Sequence, residues 1–298
     1  MVYFNNNLQK SSSFSVSINP AINLDVRKYC VTTCHAYFDD FCLLFLMLVQ
    51  GRGLKNGTIS LINVYINKKH LSMRKSKSMN TPMYSRTSSY DSALQTNKVL
   101  RNTYALLSMT LLWSAVVAGV SMAMNLPRPG IIIMLVGFYG LLFLTEKNRN
   151  NSMGLVFTFL FTGFLGYTIG PILNMYIGAG MGDVVLTALG GTALAFMGAS
   201  AYALTTKRDL SFLNGMLLAG FVVLLVGMVA NIFLQMPMLH MAMSGLFVLF
   251  STGAILLTTQ QIVRGGETNY ISATITLYVS IYNLFISLLS ILGIMNDD

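Results

Sequence analysis

An all-α membrane protein built as a bundle of seven transmembrane helices is the fold class this sequence predicts, on three observations. From Thr103 to Gly293 the chain is almost continuously apolar, cut by short polar gaps into seven stretches. Hydrophobic residues make up 54% of the chain and charged residues 10%, with a mean hydropathy of +0.63, a balance foreign to soluble domains. Basic residues recur in every second gap. A hydrocarbon core about 30 Å thick needs roughly 20 helical residues, and lipid offers exposed backbone groups no partner, so a helix bundle is the form such a chain can take.

In order, the spans are expected at about 103–124, 130–145, 154–174, 184–205, 212–234, 238–258 and 271–293. The second is short and is expected to lengthen into its flanks. Pro127 and Pro129 break the first gap, Gly178, Gly180 and Gly182 the third, and Pro237 the fifth. Arg86, Lys98 and Arg101 precede the first span, Lys147 and Arg149 fill the second gap, Lys207 and Arg208 the fourth, and Arg264 the sixth. Arg128 alone lies on the other side. Eight basic residues against one place the N-terminus and the even-numbered gaps in the cytoplasm and residues 294–298 in the periplasm. Gly163, Gly166 and Gly170 in the third span, and Gly190, Gly191 and Gly198 in the fourth, recur at helical spacing and predict close backbone approach.

Residues 1–78 differ in kind. They carry ten basic and three acidic side chains, a net +7 of the chain's +9, so the bundle itself is nearly neutral and its charge gives no nucleic-acid signal. Their one apolar run, Phe41–Val49, is too short to span, and Asp39 and Asp40 precede it where a signal peptide carries positive charge. Cys30 and Cys34 beside His35 lack the four-ligand spacing of a structural zinc site. Met79 then opens a Ser/Thr-rich stretch. The expectation is that residues 1–78 are upstream sequence from a mis-assigned start, the alternative being a cytosolic extension that binds anionic lipid. Residues 79–102 form a polar cytosolic tail before the bundle of residues 103–293.

Ionisable groups inside a membrane are costly and mark function, and this bundle is nearly bare of them. Asp183 follows Gly178-Ala-Gly-Met-Gly182 at the start of the fourth span, as a helix cap or as a solute or cation contact. Asp209 with Ser211 reads as a cap of the fifth span, while Glu146 and Glu267 fall in basic gaps and read as solvated. His240 stands alone near the outer end of the sixth span, as a packing residue or a proton sensor. Asn231, Ser280 and Asn283 read as hydrogen-bonding glue between helices, worth about 1 kcal/mol each. Ser200 with His240 as base would make a nucleophile pair, but no motif supports it, and no cofactor or metal motif is present. A non-catalytic protein is expected.

From Lys98 to Gly293 the chain resembles the Bax-inhibitor-like (transmembrane Bax inhibitor motif) family. The resemblance rests on Asn97–Tyr104, on Phe161-Thr-Gly-Phe-Leu-Gly-Tyr167, on Gly170-Pro-Ile-Leu-Asn174 and on Gly180-Met-Gly-Asp183. It continues through Gly227–Gln235, Gly265-Gly-Glu-Thr-Asn-Tyr270 and Leu277-Tyr-Val-Ser-Ile-Tyr-Asn283. Its bacterial branch implies an inner-membrane protein that binds an FtsH-type membrane protease, restrains it, and is itself engaged through a flexible tail, here Ser85, Arg86, Thr87, Ser88 and Ser89. Other members imply a pH-sensitive calcium leak gated by paired aspartates. At those positions this chain has Thr258 (Thr259 with a one-residue slip) and Ser280, which cannot titrate. Asp183, His240, Thr258, Ser280 and Asn283 are the candidate ion or gate positions, and regulation of the protease is the favoured function, with a cation leak as the alternative.

Overall fold

The computed structural model describes residues 85–234 and 236–296. The expectations for residues 1–78, including the cysteines and His35, lie outside them. Among the described residues seven helices follow one another: α1 (Ser85–Ala123), α2 (Ile131–Lys147), α3 (Ser152–Gly178), α4 (Gly182–Thr205), α5 (Phe212–Leu234), α6 (Pro237–Val263) and α7 (Tyr270–Met295). Five helical segments among the described residues are long and apolar enough to cross a membrane: 96–123, 152–178, 182–205, 238–263 and 270–295. A helix covers each of the seven expected stretches, with shifted ends. Helix α1 is the main departure: it runs back to Ser85, so the polar stretch Ser85–Asn102 is helical where an irregular tail was expected.

Connections are short, so neighbours run antiparallel. The α2–α3, α4–α5 and α6–α7 connections share one end of the bundle, called here the basic end. Helix α7 forms the axis. It packs against α1, α3, α4 and α6, while α2 lies on α3 and α5 on α6. Of the apolar window of α7, 78% is buried, against 33% for α1 and α4. One core joins α7 to α1, α2, α3, α4 and α6, and a second, smaller one lies between α5 and α6 around Leu217, Phe221, Leu224, Phe247 and Phe250.

Hydrophobicity alone gives helices in lipid no reason to associate, so packing and hydrogen bonds must order them. The α1–α3 seam has both. Gly166 lies against the Ser114 carbonyl, and Gly170 against the Ser121 side chain, so neither position has room for a Cβ. Gly163 leaves space for the Trp113 indole, whose Nε1 donates to the Phe159 carbonyl at 3.0 Å. Pro171 lies inside α3 and offers no N–H to the Tyr167 carbonyl. Ser121 Oγ supplies the missing donor at 3.2 Å. The α4 glycines behave differently: nothing lies within 4 Å of a Cβ built at Gly190 or Gly198, and Gly191 meets only Leu288 at 3.4 Å. The close approach expected there is made in α3 alone.

Candidate functional site at the two ends of the bundle

Hydroxyl groups tie the axis helix to its neighbours. Tyr278 Oη donates to Ser114 Oγ at 2.5 Å and to the Thr162 carbonyl at 3.2 Å, and its ring stacks on Tyr282 at 6.5 Å. Tyr282 Oη and Thr168 Oγ1 share a hydrogen bond of 3.0 Å, and Thr274 donates to the Thr103 carbonyl. Apart from tyrosine hydroxyls, every buried polar side chain among the described residues is Ser, Thr, Asn, Gln or the single His240. None is Asp, Glu, Lys or Arg, which spares the core the cost of desolvating a charge.

The candidate gate residues do not form one site. Ser280 is fully buried but turns its hydroxyl onto the Thr276 carbonyl of its own helix at 2.8 Å, instead of crossing to a neighbour as expected. Thr258 is buried on α6, and among the described residues no hydrogen bond joins it to Ser280. The next residue, Thr259, meets Tyr104 Oη of α1 at 3.4 Å. Asn283 is buried on α7, one turn beyond Ser280. Asp183 is exposed in the first turn of α4. The N-cap is Met181 and no side chain caps it, so the expected cap bond is absent and Asp183 interacts with the helix end only through the dipole.

At the end opposite the basic one, His240 does gather partners. It is buried in the first turn of α6, with Asn231 Nδ2 of α5 at 3.4 Å from Nδ1 and Ser290 Oγ of α7 at 3.3 Å from Nε2. Because an amide nitrogen only donates, Nδ1 accepts and Nε2 carries the proton. Ser244 adds a bond to the His240 carbonyl at 3.1 Å. Ser200, the other half of the notional nucleophile pair, lies near the basic end of α4, and 1.5 Å per residue places it roughly 20 Å from His240 along the bundle. The pair is not assembled.

Two clusters at the basic end were not anticipated. Glu146, at the end of α2, has a side chain only 9% exposed, accepts from Ser272 Oγ at 2.6 Å and pairs with Arg149 at 3.5 Å. It is a docking residue and not the solvated one expected. Asn269 completes this cluster: its side-chain oxygen caps α7 at the amides of Ile271 and Ser272, and its nitrogen donates to the Arg149 carbonyl and to Asn150. The second cluster clasps the α4–α5 connection onto α6. Gln260 accepts from the Leu210 amide at 2.9 Å and donates to the Arg208 carbonyl at 2.8 Å, while Arg264 pairs with Asp209 at 2.8 Å. Asp209 also accepts from the Ser211 hydroxyl and amide, and these bonds, then Arg264, hold its carboxyl below the usual range.

The motif-bearing helices thus form one bundle, and the comparisons place it. The family model described as Inhibitor of apoptosis-promoting Bax1 matches residues 96–297. The chain belongs to this Bax-inhibitor family. It is 62% identical over 214 residues to the Escherichia coli K12 protein named Modulator of FtsH protease YccA, covering 71% of this chain and 98% of that one. It is 54% identical over 221 residues to an uncharacterized protein of Pseudomonas aeruginosa (74% and 100%). To an uncharacterized protein of Neisseria meningitidis serogroup A it is 36% identical over 214 residues (68% and 93%). The family match takes in α2 to α7 whole, with both end clusters.

Proposed function

We propose that this chain is a regulator of an FtsH-type membrane protease, embedded in the bacterial inner membrane and acting by contact with the protease to restrain its degradation of membrane substrates. The observation that carries the reading is the 62% identity over nearly the whole length of a protein named as a modulator of that protease. The uncharged interior supports it: with Thr258 and Ser280 at the gate positions and Asp183 exposed at the opposite end, the core among the described residues offers no titratable carboxyl pair for a calcium leak. A non-catalytic role accords with Ser200 and His240 lying at different depths.

Seven crossings are supported by helix length. Helices α2 and α5, at 17 and 23 residues, extend about 25 and 34 Å, enough with flanking residues to cross a core of about 30 Å. The basic residues support an orientation with the basic end and the N-terminus in the cytoplasm and the C-terminus in the periplasm. Ser85, Arg86, Thr87, Ser88 and Ser89 then extend α1 toward the cytosolic part of the protease. A polar helical extension of this length is only marginally stable outside the bundle, so an unfolding protease can open it from its free end. Deletion of residues 79–97 tests this: the shortened chain should resist turnover by the protease and accumulate, measured by pulse-chase. Turnover at the wild-type rate would remove the tail from the account.

A further inference from the structure

The basic end brings four exposed cations from two parts of the chain to one mouth. Thr96 of α1 lies against the α6–α7 turn, 3.6 Å from a Cβ built at Gly265. The preceding residue, Arg264, holds the other side, donating to the Arg208 carbonyl at 2.5 Å and to the Lys207 carbonyl at 3.5 Å. This turn therefore joins α1 to the α4–α5 connection. Farther into the bundle the rings of Tyr104 and Phe196 meet at 6.1 Å and close the space between α1 and α4. Lys98 and Arg101 follow Thr96 on α1, and Lys207 and Arg208 lie on the connection that Arg264 holds, so the junction carries two pairs of exposed cations. Arg264 is neutralised by Asp209, whereas no ion pair involving those four cations is present among the described residues.

We propose that this mouth binds the phosphate headgroup of an anionic phospholipid. An amphiphile fits better than a soluble anion because each basic group heads an exposed apolar stripe. On α1, Arg101 is followed on the same helical face by Ala105, Met109, Leu112 and Val116, all exposed, a run of about 22 Å that matches an acyl chain. On α4, Leu204, Met197 and Leu194 form the corresponding stripe beneath Lys207 and Arg208. Guanidinium and ammonium groups bind the phosphate at the interface, and the stripes receive the chains. The proposal needs the bundle to lie in a membrane but does not depend on any protease.

The test uses the purified full chain in neutral detergent, titrated with phosphatidylglycerol or phosphatidylcholine and read by native mass spectrometry. Phosphatidylglycerol should be retained preferentially. Arg101→Gln should weaken its binding about fivefold, and Lys207→Gln with Arg208→Gln about 25-fold. Arg101→Lys should keep it, and Lys147→Gln, on α2 away from the junction, should leave it unchanged. Melting temperatures at the wild-type value would exclude misfolding of these surface variants. Equal binding of the two lipids, or an equal loss from Lys147→Gln and Arg101→Gln, would overturn the site. Full displacement by inorganic phosphate at lipid-equivalent concentration would overturn the lipid assignment.

Discussion

Gly166→Ala probes the α1–α3 seam with a single methyl group. The new Cβ would overlap the Ser114 carbonyl oxygen and lie 2.9 Å from Ser114 Oγ and 3.0 Å from its Cα. Carbon contacts are comfortable at about 3.5–4.0 Å, so α1 must retreat from α3 by about 1 Å. The opposing atom is backbone, which has no rotamer to change. Overpacking of this kind costs about 1–3 kcal/mol. Weakening the Tyr278–Ser114 hydrogen bond adds about 1 kcal/mol, and the better helix propensity of alanine returns up to about 1 kcal/mol. The net loss is about 2 kcal/mol, or about 5 °C in melting temperature for a domain of this size. Trp113 is the only tryptophan in the chain and sits on the seam, so its emission in a detergent melt reports the change directly. Gly198→Ala, with nothing within 4 Å, should melt at or slightly above the wild-type temperature. Wild-type melting of Gly166→Ala, or an equal loss from Gly198→Ala, would refute the packing argument.

Gln260→Leu should free the α4–α5 connection and accelerate tryptic cleavage after Lys207 and Arg208, followed by the appearance of two fragments on a gel. Asp209→Asn should lower the melting temperature at pH 7. Because the carboxyl is held below its ordinary value, its stabilisation is present above the unfolded value of about 3.9 and fades as pH falls through the folded value. The difference between the two proteins should therefore begin to shrink as pH falls below about 4 and vanish only once pH is below the folded value. Glu146→Ala leaves the Ser272 hydroxyl and Arg149 without their shared acceptor and should cost about 1–3 kcal/mol, read by thermal unfolding. His240→Phe removes the link from α6 to both Asn231 and Ser290, and hydrogen exchange should rise in the last turns of α5 before any other helix.

Seven helices were legible because each is a long apolar run, and their ends were legible where proline, glycine or charge interrupts the run. The position of α7 was not, because its hydropathy barely differs from that of its neighbours. A hint was present in its polar groups, because Ser272, Ser280, Asn283, Ser287 and Ser290 share one face while Thr274, Tyr278 and Tyr282 lie on the other. A helix exposed to lipid on one side would keep that side free of them. The α3 glycines were read correctly and the α4 glycines were not, since spacing reports a common face but not what the face meets. Glu146 was taken as solvated because its partner Ser272 is 126 residues away in sequence. The clasp of Gln260 and Arg264 on residues 207–210 was hidden for the same reason: it joins elements about 50 residues apart whose nearness follows from the bundle. Asp183 misled in the other direction. A carboxylate after a glycine-rich turn has the pattern of a cap, yet it falls two residues beyond the N-cap Met181 and its side chain makes no cap bond.

The proposed function has this bundle acting on a neighbouring protease through its surface and not by conducting ions through its interior. Turnover of a membrane-embedded substrate by an FtsH-type protease, co-reconstituted in liposomes with and without the purified chain, tests that most directly. Turnover should slow as the chain is added and saturate near stoichiometric amounts. Turnover that stays constant at every ratio, in vesicles where the chain is shown to be folded and inserted, would contradict it.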